Sequence, residues 1–122
     1  MNTFPYSTPV DRELSNEERS ILCELISKTD SKRLKEIDSL HVYGRCGCGS
    51  CPTVMFEGEP KKEDKKTILA DYQGGDEDSG LIGITLWERD GSIIELEAWS
   101  IDGTDVTTWP KLDTIRPLEA SR

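Results

Sequence analysis

No stretch of the 122-residue chain approaches the ~18 consecutive apolar residues of a membrane-spanning helix. The opening residues Met1-Asn2-Thr3-Phe4-Pro5-Tyr6 also lack the basic end and apolar run of a secretion signal. A cytoplasmic chain is therefore expected, with its four cysteines reduced unless they bind metal. Basic charge is short as well. Fifteen Lys and Arg stand against twenty-four Asp and Glu, a formal charge of −9. That balance speaks against a nucleic-acid binder and an anionic-membrane anchor, both of which need a surplus of cations. Catalytic signatures are missing too. There is one histidine, no nucleophile set with Ser, His and an acid, no phosphate loop and no dinucleotide glycine pattern. The expectation is a protein that binds rather than catalyses.

Apolar residues are sparse. Hydrophobic residues make up 34 %, and even with the ten glycines they fall short of the usual ~45–50 %. Leu, Ile, Val and Phe stay just above the ~20 % at which disorder becomes the default for a charged chain. One small core is what this composition allows. The acidic excess is uneven: residues 1–51 carry eight acids and seven bases, residues 52–122 sixteen and eight.

Residues 1–13 contain two prolines and no apolar period, and read as a flexible arm. Residues 14–116 read as one domain and 117–122 as a tail. Ser15-Asn16-Glu17-Glu18 has the form of a capping box, and Ile21, Leu22, Leu25 and Ile26 follow at helical spacing, with Cys23 off the stripe. A second, short helix carries Leu34, Ile37 and Leu40. From His41 onward the pattern turns to strands near 41–45, 52–57, 67–73, 81–88 and 93–100, with a mixed-charge, mobile loop over 57–66. The expected fold class is α+β, with two N-terminal helices packed on a mostly antiparallel sheet of about five strands.

The last two strands permit a register argument. A two-residue turn at Asp90-Gly91 would pair Leu86 with Glu95 and Ile84 with Glu97, placing acids on the apolar face. A three-residue loop, Arg89-Asp90-Gly91, instead pairs Leu86 with Ile94, Ile84 with Leu96 and Ile82 with Ala98. The opposite face then carries Thr85, Trp87, Ile93, Glu95, Glu97 and Trp99. Two readings of it stand. Either the C-terminal segment with Trp109, Leu112 and Ile115 folds over it, or it receives a partner, with tryptophans supplying area and acids selecting a basic surface. Asp71 and the Asp76, Glu77 and Asp78 turn extend that acidic candidate face. Asp76-x-Asp78-x-Gly80 lacks the full spacing of a calcium loop and reads as a solvated turn.

The segment Gly44-Arg45-Cys46-Gly47-Cys48-Gly49-Ser50-Cys51-Pro52 leaves three readings open. Cys46, Cys48 and Cys51 can ligate zinc with His41, or with Cys23 in its place, as fourth ligand. Cys48-Gly49-Ser50-Cys51 has the C-x-x-C form of a redox pair, but a strand rather than a helix follows it. The third reading, small residues packed in a tight connection, leads. A lone histidine such as His41 is itself more often structural than a ligand.

The cysteine segment with Ser79-Gly80-Leu81-Ile82-Gly83-Ile84 and Asp90-Gly91-Ser92-Ile93-Ile94-Glu95-Leu96-Glu97 resembles small bacterial α+β proteins of immunity-protein type. The resemblance covers roughly residues 40–100 and transfers no site residue. It implies an acidic inhibitor, monomer or homodimer, that occludes a basic partner such as a nuclease toxin. The alternative is a zinc-binding accessory or regulatory domain built on the cysteines.

Overall fold

The computed structural model describes residues 7–57 and 65–118. Residues 58–64 of the expected loop over 57–66, and the outermost parts of the arm and tail, 1–6 and 119–122, lie outside the described residues. The capping box forms as written. Glu18 N–H donates to Ser15 Oγ at 3.1 Å, and Ser15 N–H donates to Glu18 Oε1 at 2.9 Å. It starts helix α1, Asn16–Thr29. Arg12 grips the same carboxylate with two bonds, of 2.9 and 2.7 Å. Burial alone would push the Glu18 carboxyl up, but the Arg12 and Ser15 bonds outweigh it and hold it below its ordinary value. Ile21, Leu22, Leu25 and Ile26 are buried, each contributing on the order of 1.5–3 kcal/mol. Cys23 points away from them and is exposed.

The second helix is not an α-helix. Ser31–Ser39 is a 3₁₀ helix. Its apolar residues Leu34 and Ile37, with Leu40 just beyond, recur every third position, which aligns them on one face at three residues per turn. Arg33 bolts the segment to the sheet: it donates to Glu36, to Glu88 Oε1 at 2.9 Å and to Gly91 O at 2.8 Å.

All strand pairs are antiparallel. The strands are β1 (Ser7–Arg12), β2 (Val42–Cys46), β3 (Val54–Met55), β4 (Thr67–Asp76), β5 (Gly80–Arg89), β6 (Ser92–Ser100) and β7 (Arg116–Pro117), in the order β1-β2-β3-β6-β5-β4-β7. This corrects the expected α+β arrangement of two N-terminal helices on about five strands. Among the described residues the sheet has seven strands, and a strand precedes the helices. A third helical turn, Leu112–Thr114, comes late. The five expected strands are β2–β6. The two additions are edge strands, recruited by backbone pairing with no apolar alternation to announce them. β1 tolerates Pro9, which has no N–H to give, because only one of its sides is paired. β7 begins at the last residue of the expected domain and runs into the expected tail.

The hairpin register differs from both alternatives weighed above. Asp90 (φ 51°) and Gly91 (φ 82°) form a two-residue turn with both φ values positive, and Arg89 pairs with Ser92. A bulge between Trp87 and Glu88 then shifts the ladder, so that Leu86 faces Leu96, Ile84 faces Ala98 and Ile82 faces Ser100. The bulge restores the parity that a plain two-residue hairpin would have spoiled. Leu86, Ile84, Leu96 and Ala98 therefore still share the core with the α1 residues, while Thr85, Trp87, Glu95, Glu97 and Trp99 alternate to the other side. Ile93, next to the bulge, turns into the core.

Trp109 and Ile115 join that same core with Ile21, Leu25, Ile84 and Leu96. Gly74 lets the segment approach, for a Cβ there would meet Pro110 Cγ at 2.6 Å. The C-terminal segment thus packs on the helix side of the sheet and does not cover the tryptophan face. No helix among the described residues is long and apolar enough to cross a membrane.

Candidate functional site

On the side of the sheet away from α1, strands β4, β5 and β6 bring Asp71, Thr85, Trp87, Glu95, Glu97 and Trp99 together. Cross-strand pairing sets Trp87 opposite Glu95, Thr85 opposite Glu97 and Asp71, and Gly83 opposite Trp99. The polar atoms are hydrogen-bonded in separate groups. Trp99 Nε1–H donates to Thr85 Oγ1 at 2.9 Å, and that hydroxyl donates to Asp71 Oδ1 at 2.9 Å. Trp87 Nε1–H donates to Glu97 Oε1 at 2.8 Å. Glu95 is 4 % exposed and accepts from Lys66 Nζ at 2.8 Å, and the same ammonium lies 4.4 Å from the Trp87 ring centroid. Trp99 lies flat over Gly83, where a Cβ would come within 2.1 Å of the indole.

Both tryptophans stay half-buried, with their N–H groups satisfied inside the sheet. What they present outward is ring surface. Glu95 and Glu97 differ from the expected acidic rim, because each holds a neighbour rather than standing ready for a cation. The carboxylates facing solvent lie at the β4–β5 turn instead. There Glu77 and Asp78 are exposed, and Asp76 is occupied by the turn itself, accepting from Asp78 N–H, Ser79 N–H and Ser79 Oγ at 3.0, 2.7 and 2.9 Å. The Ser79 N–H above all holds the Asp76 carboxyl below its ordinary range. Asp102 closes the same end by accepting from Leu81 N–H at 3.0 Å.

The cysteine connection joins β2 to β3. Cys46 N–H donates to Thr53 O at 3.2 Å, Gly49 N–H to Cys46 O at 3.2 Å, and the Arg45 guanidinium to Gly49 O at 3.0 Å. Gly49 sits at φ +79°, a value an L side chain rarely adopts. This double turn gathers the Sγ atoms of Cys46, Cys48 and Cys51 within 4.8 Å of one another, Cys48 and Cys51 at 3.4 Å. Backbone N–H groups of Cys51 and Ser50 aimed at Cys48 Sγ lower that thiol to about 6. Burial first, and then the neighbouring thiols, push Cys46 up to about 12.

His41 does not join them. It precedes β2 while Cys46 ends it, and an extended strand separates the two by roughly 3.3 Å per residue. Its Nε2 lies 2.6 Å from Asp11 Oδ1, and its ring stacks at a tilt on Tyr43, 4.8 Å between centroids. Cys23 is on the exposed side of α1, beside Arg19 and Leu112, and is not part of the sulfur group either.

Sequence reasoning missed Lys66, Thr53 and Gly83. Lys66 sits in a charged run whose pairing with a residue 29 positions later has no local signal. Thr53 ties the two candidate regions together. Its Oγ1 accepts from Ala98 N–H at 2.9 Å, between Glu97 and Trp99, and lies 3.5 Å from Cys51 Sγ. No curated protein and no solved structure matches the chain. A family model does match residues 11–110, a span that takes in the helix, the cysteine connection and the tryptophan face. The chain belongs to that family, described as a domain of unknown function, DUF6984.

Proposed function

We propose that the protein is a non-catalytic binding module of immunity type, acting in the cytoplasm, which occludes a basic protein partner such as a nuclease toxin. The observation that carries this reading is the face bearing Trp87 and Trp99. The C-terminal segment packs on the opposite side of the sheet, and the two indoles are only partly buried, with their N–H groups held at 2.8 and 2.9 Å. Rings fixed in this way lose little side-chain freedom on binding, which favours them as anchors. Along β5, from Trp87 to the turn at 76–80 is seven residues, about 24 Å at ~3.4 Å each. A standard interface of ~800 Å² per partner is wide enough to cover both the rings and the exposed acids Glu77 and Asp78. The formal charge of −9 adds steering toward a cationic surface.

The test uses the tagged full chain as bait in lysate of its source at low and high salt. Beside it run Trp87→Ala, Trp99→Ala and the double variant Glu77→Gln/Asp78→Asn. A basic protein retained at low salt is then purified and its affinity measured by calorimetry. Expected are a loss of about 30-fold or more for a tryptophan truncation, the ~2 kcal/mol of a hot spot, and slower association with a flatter salt dependence for the double variant. Equal affinity across all variants would remove the face from the interface. Charge reversal at Glu95 is the wrong probe, since it would set a second cation against Lys66 in a buried position.

A further inference from the structure

We propose that Cys46, Cys48 and Cys51 hold one zinc ion through three thiolates, with the fourth coordination position open to a ligand from solution. This site is separate from the tryptophan face and does not depend on its reading. Zinc–sulfur bonds of ~2.3 Å at tetrahedral angles put neighbouring sulfurs about 3.8 Å apart. The three Sγ atoms are already near that spacing, 3.4 Å for Cys48 and Cys51 and none beyond 4.8 Å. Ion binding therefore needs side-chain adjustments of about an ångström and no rebuilding of the backbone.

The connection is built to keep the sulfurs converged. Gly49 takes the left-handed turn, Arg45 locks the Gly49 carbonyl, and Cys51 N–H donates to Cys48 Sγ at 3.4 Å. Such N–H to sulfur bonds support a thiolate and set the direction of its remaining lone pairs. Three soft thiolates select zinc over magnesium or calcium, which prefer oxygen. Packing alone explains the cluster poorly. Cys48 is exposed and Cys46 and Cys51 are only partly buried, so the thiols fill no core space. A Cys48–Cys51 disulfide would use two sulfurs and leave Cys46 converged on them without a purpose. The exposed side, at Cys48, leaves room for a water or a small ligand, and no fourth Cys, His or carboxylate joins the group among the described residues. Each thiol that ligates gives up its proton to solvent.

The experiment uses the full chain, reduced and kept free of oxygen. Zinc is titrated and counted by native mass spectrometry, and Co²⁺ is substituted as a spectroscopic probe. One ion per chain is expected, with a sulfur-to-cobalt charge-transfer band that falls by about a third in Cys48→Ser and in Cys51→Ser. Zinc affinity in those variants should drop by more than the ~10–100-fold that loss of an outer-sphere partner costs. Cys23→Ser and His41→Asn should leave both readouts unchanged. Added imidazole should shift the cobalt d–d bands by taking the open position. Circular dichroism of each variant shows that it is folded, so that a lost band reports a lost ligand. The proposal is overturned if the reduced chain binds no stoichiometric zinc, or if the cobalt band is indifferent to Cys48→Ser and Cys51→Ser. Cobalt bands that ignore imidazole, or that change in His41→Asn, would overturn the open fourth position.

Discussion

Trp99 rests on Gly83, a β5 residue with no side chain. At Gly83 the backbone φ is ordinary and the constraint is space alone, since an added Cβ would lie 2.1–2.5 Å from three indole carbons. Gly83→Ala must therefore lift Trp99 off the sheet and break its bond to Thr85. A cost of about 1–3 kcal/mol is expected, typical of overpacking, together with a red-shifted tryptophan emission. Unchanged melting temperature and emission would show that the ring is not seated as described. The sequence makes the composition of this face legible, because alternation along β5 and β6 separates Thr85, Trp87, Glu95, Glu97 and Trp99 from the core residues. It does not reveal how they behave. Glu95 reads as an exposed acid until Lys66, brought in by β4, lies against it. That partner depends on strand order, which no local pattern encodes.

At the scale of elements, Arg33 is the residue that binds the 3₁₀ segment to the hairpin. Its guanidinium is shared by Glu36, Glu88 and Gly91 O, and hydrogen bonding to Glu36 first, then to Glu88, raises its affinity for the proton further. Arg33→Ala should cost about 1.5 kcal/mol, the scale of hydrogen bonds to a charged group, discounted because Glu36 and Glu88 keep access to water. Chemical denaturation checks it, and a change within error would mean that Leu34 and Ile37 alone hold the segment. Elements with strong local signals were legible: the capping box, the α1 stripe and the apolar strands. Leu34, Ile37 and Leu40 mark a short helix in the sequence, and the structure adds that it is 3₁₀. β1 and β7 were not legible, because an edge strand needs only free backbone groups on its neighbour. The β5–β6 register was missed because the turn and the bulge compensate each other, and either considered alone gives a wrong pairing.

The cysteine cluster was legible as a group, since three thiols within six residues cannot lie far apart. Its proposed fourth ligand was not, because His41 falls within reach in sequence but at the far end of β2 in space. At the scale of the whole molecule, the sheet is two ladders joined at one narrow place. β1, β2 and β3 form one, and β6, β5, β4 and β7 the other, and between them run the pairs Val54–Leu96 and Met55–Glu95 with short extensions at Thr53 and Phe56. Opening that seam and shedding Val42, Val54 and Phe56 from the core releases the N-terminal ribbon, while the long β4–β5–β6 ladder remains paired. Free energies of local opening scale with what must be broken, so the two ladders behave as separate cooperative units. Amide hydrogen exchange should therefore show Thr8 and Arg45 exchanging at least tenfold faster than Ile84 and Leu86. Uniform protection across both would mean that the seam opens only with the whole fold. The connection that carries the three thiols leads directly into this seam, so any clasp formed there acts at the junction between the two ladders.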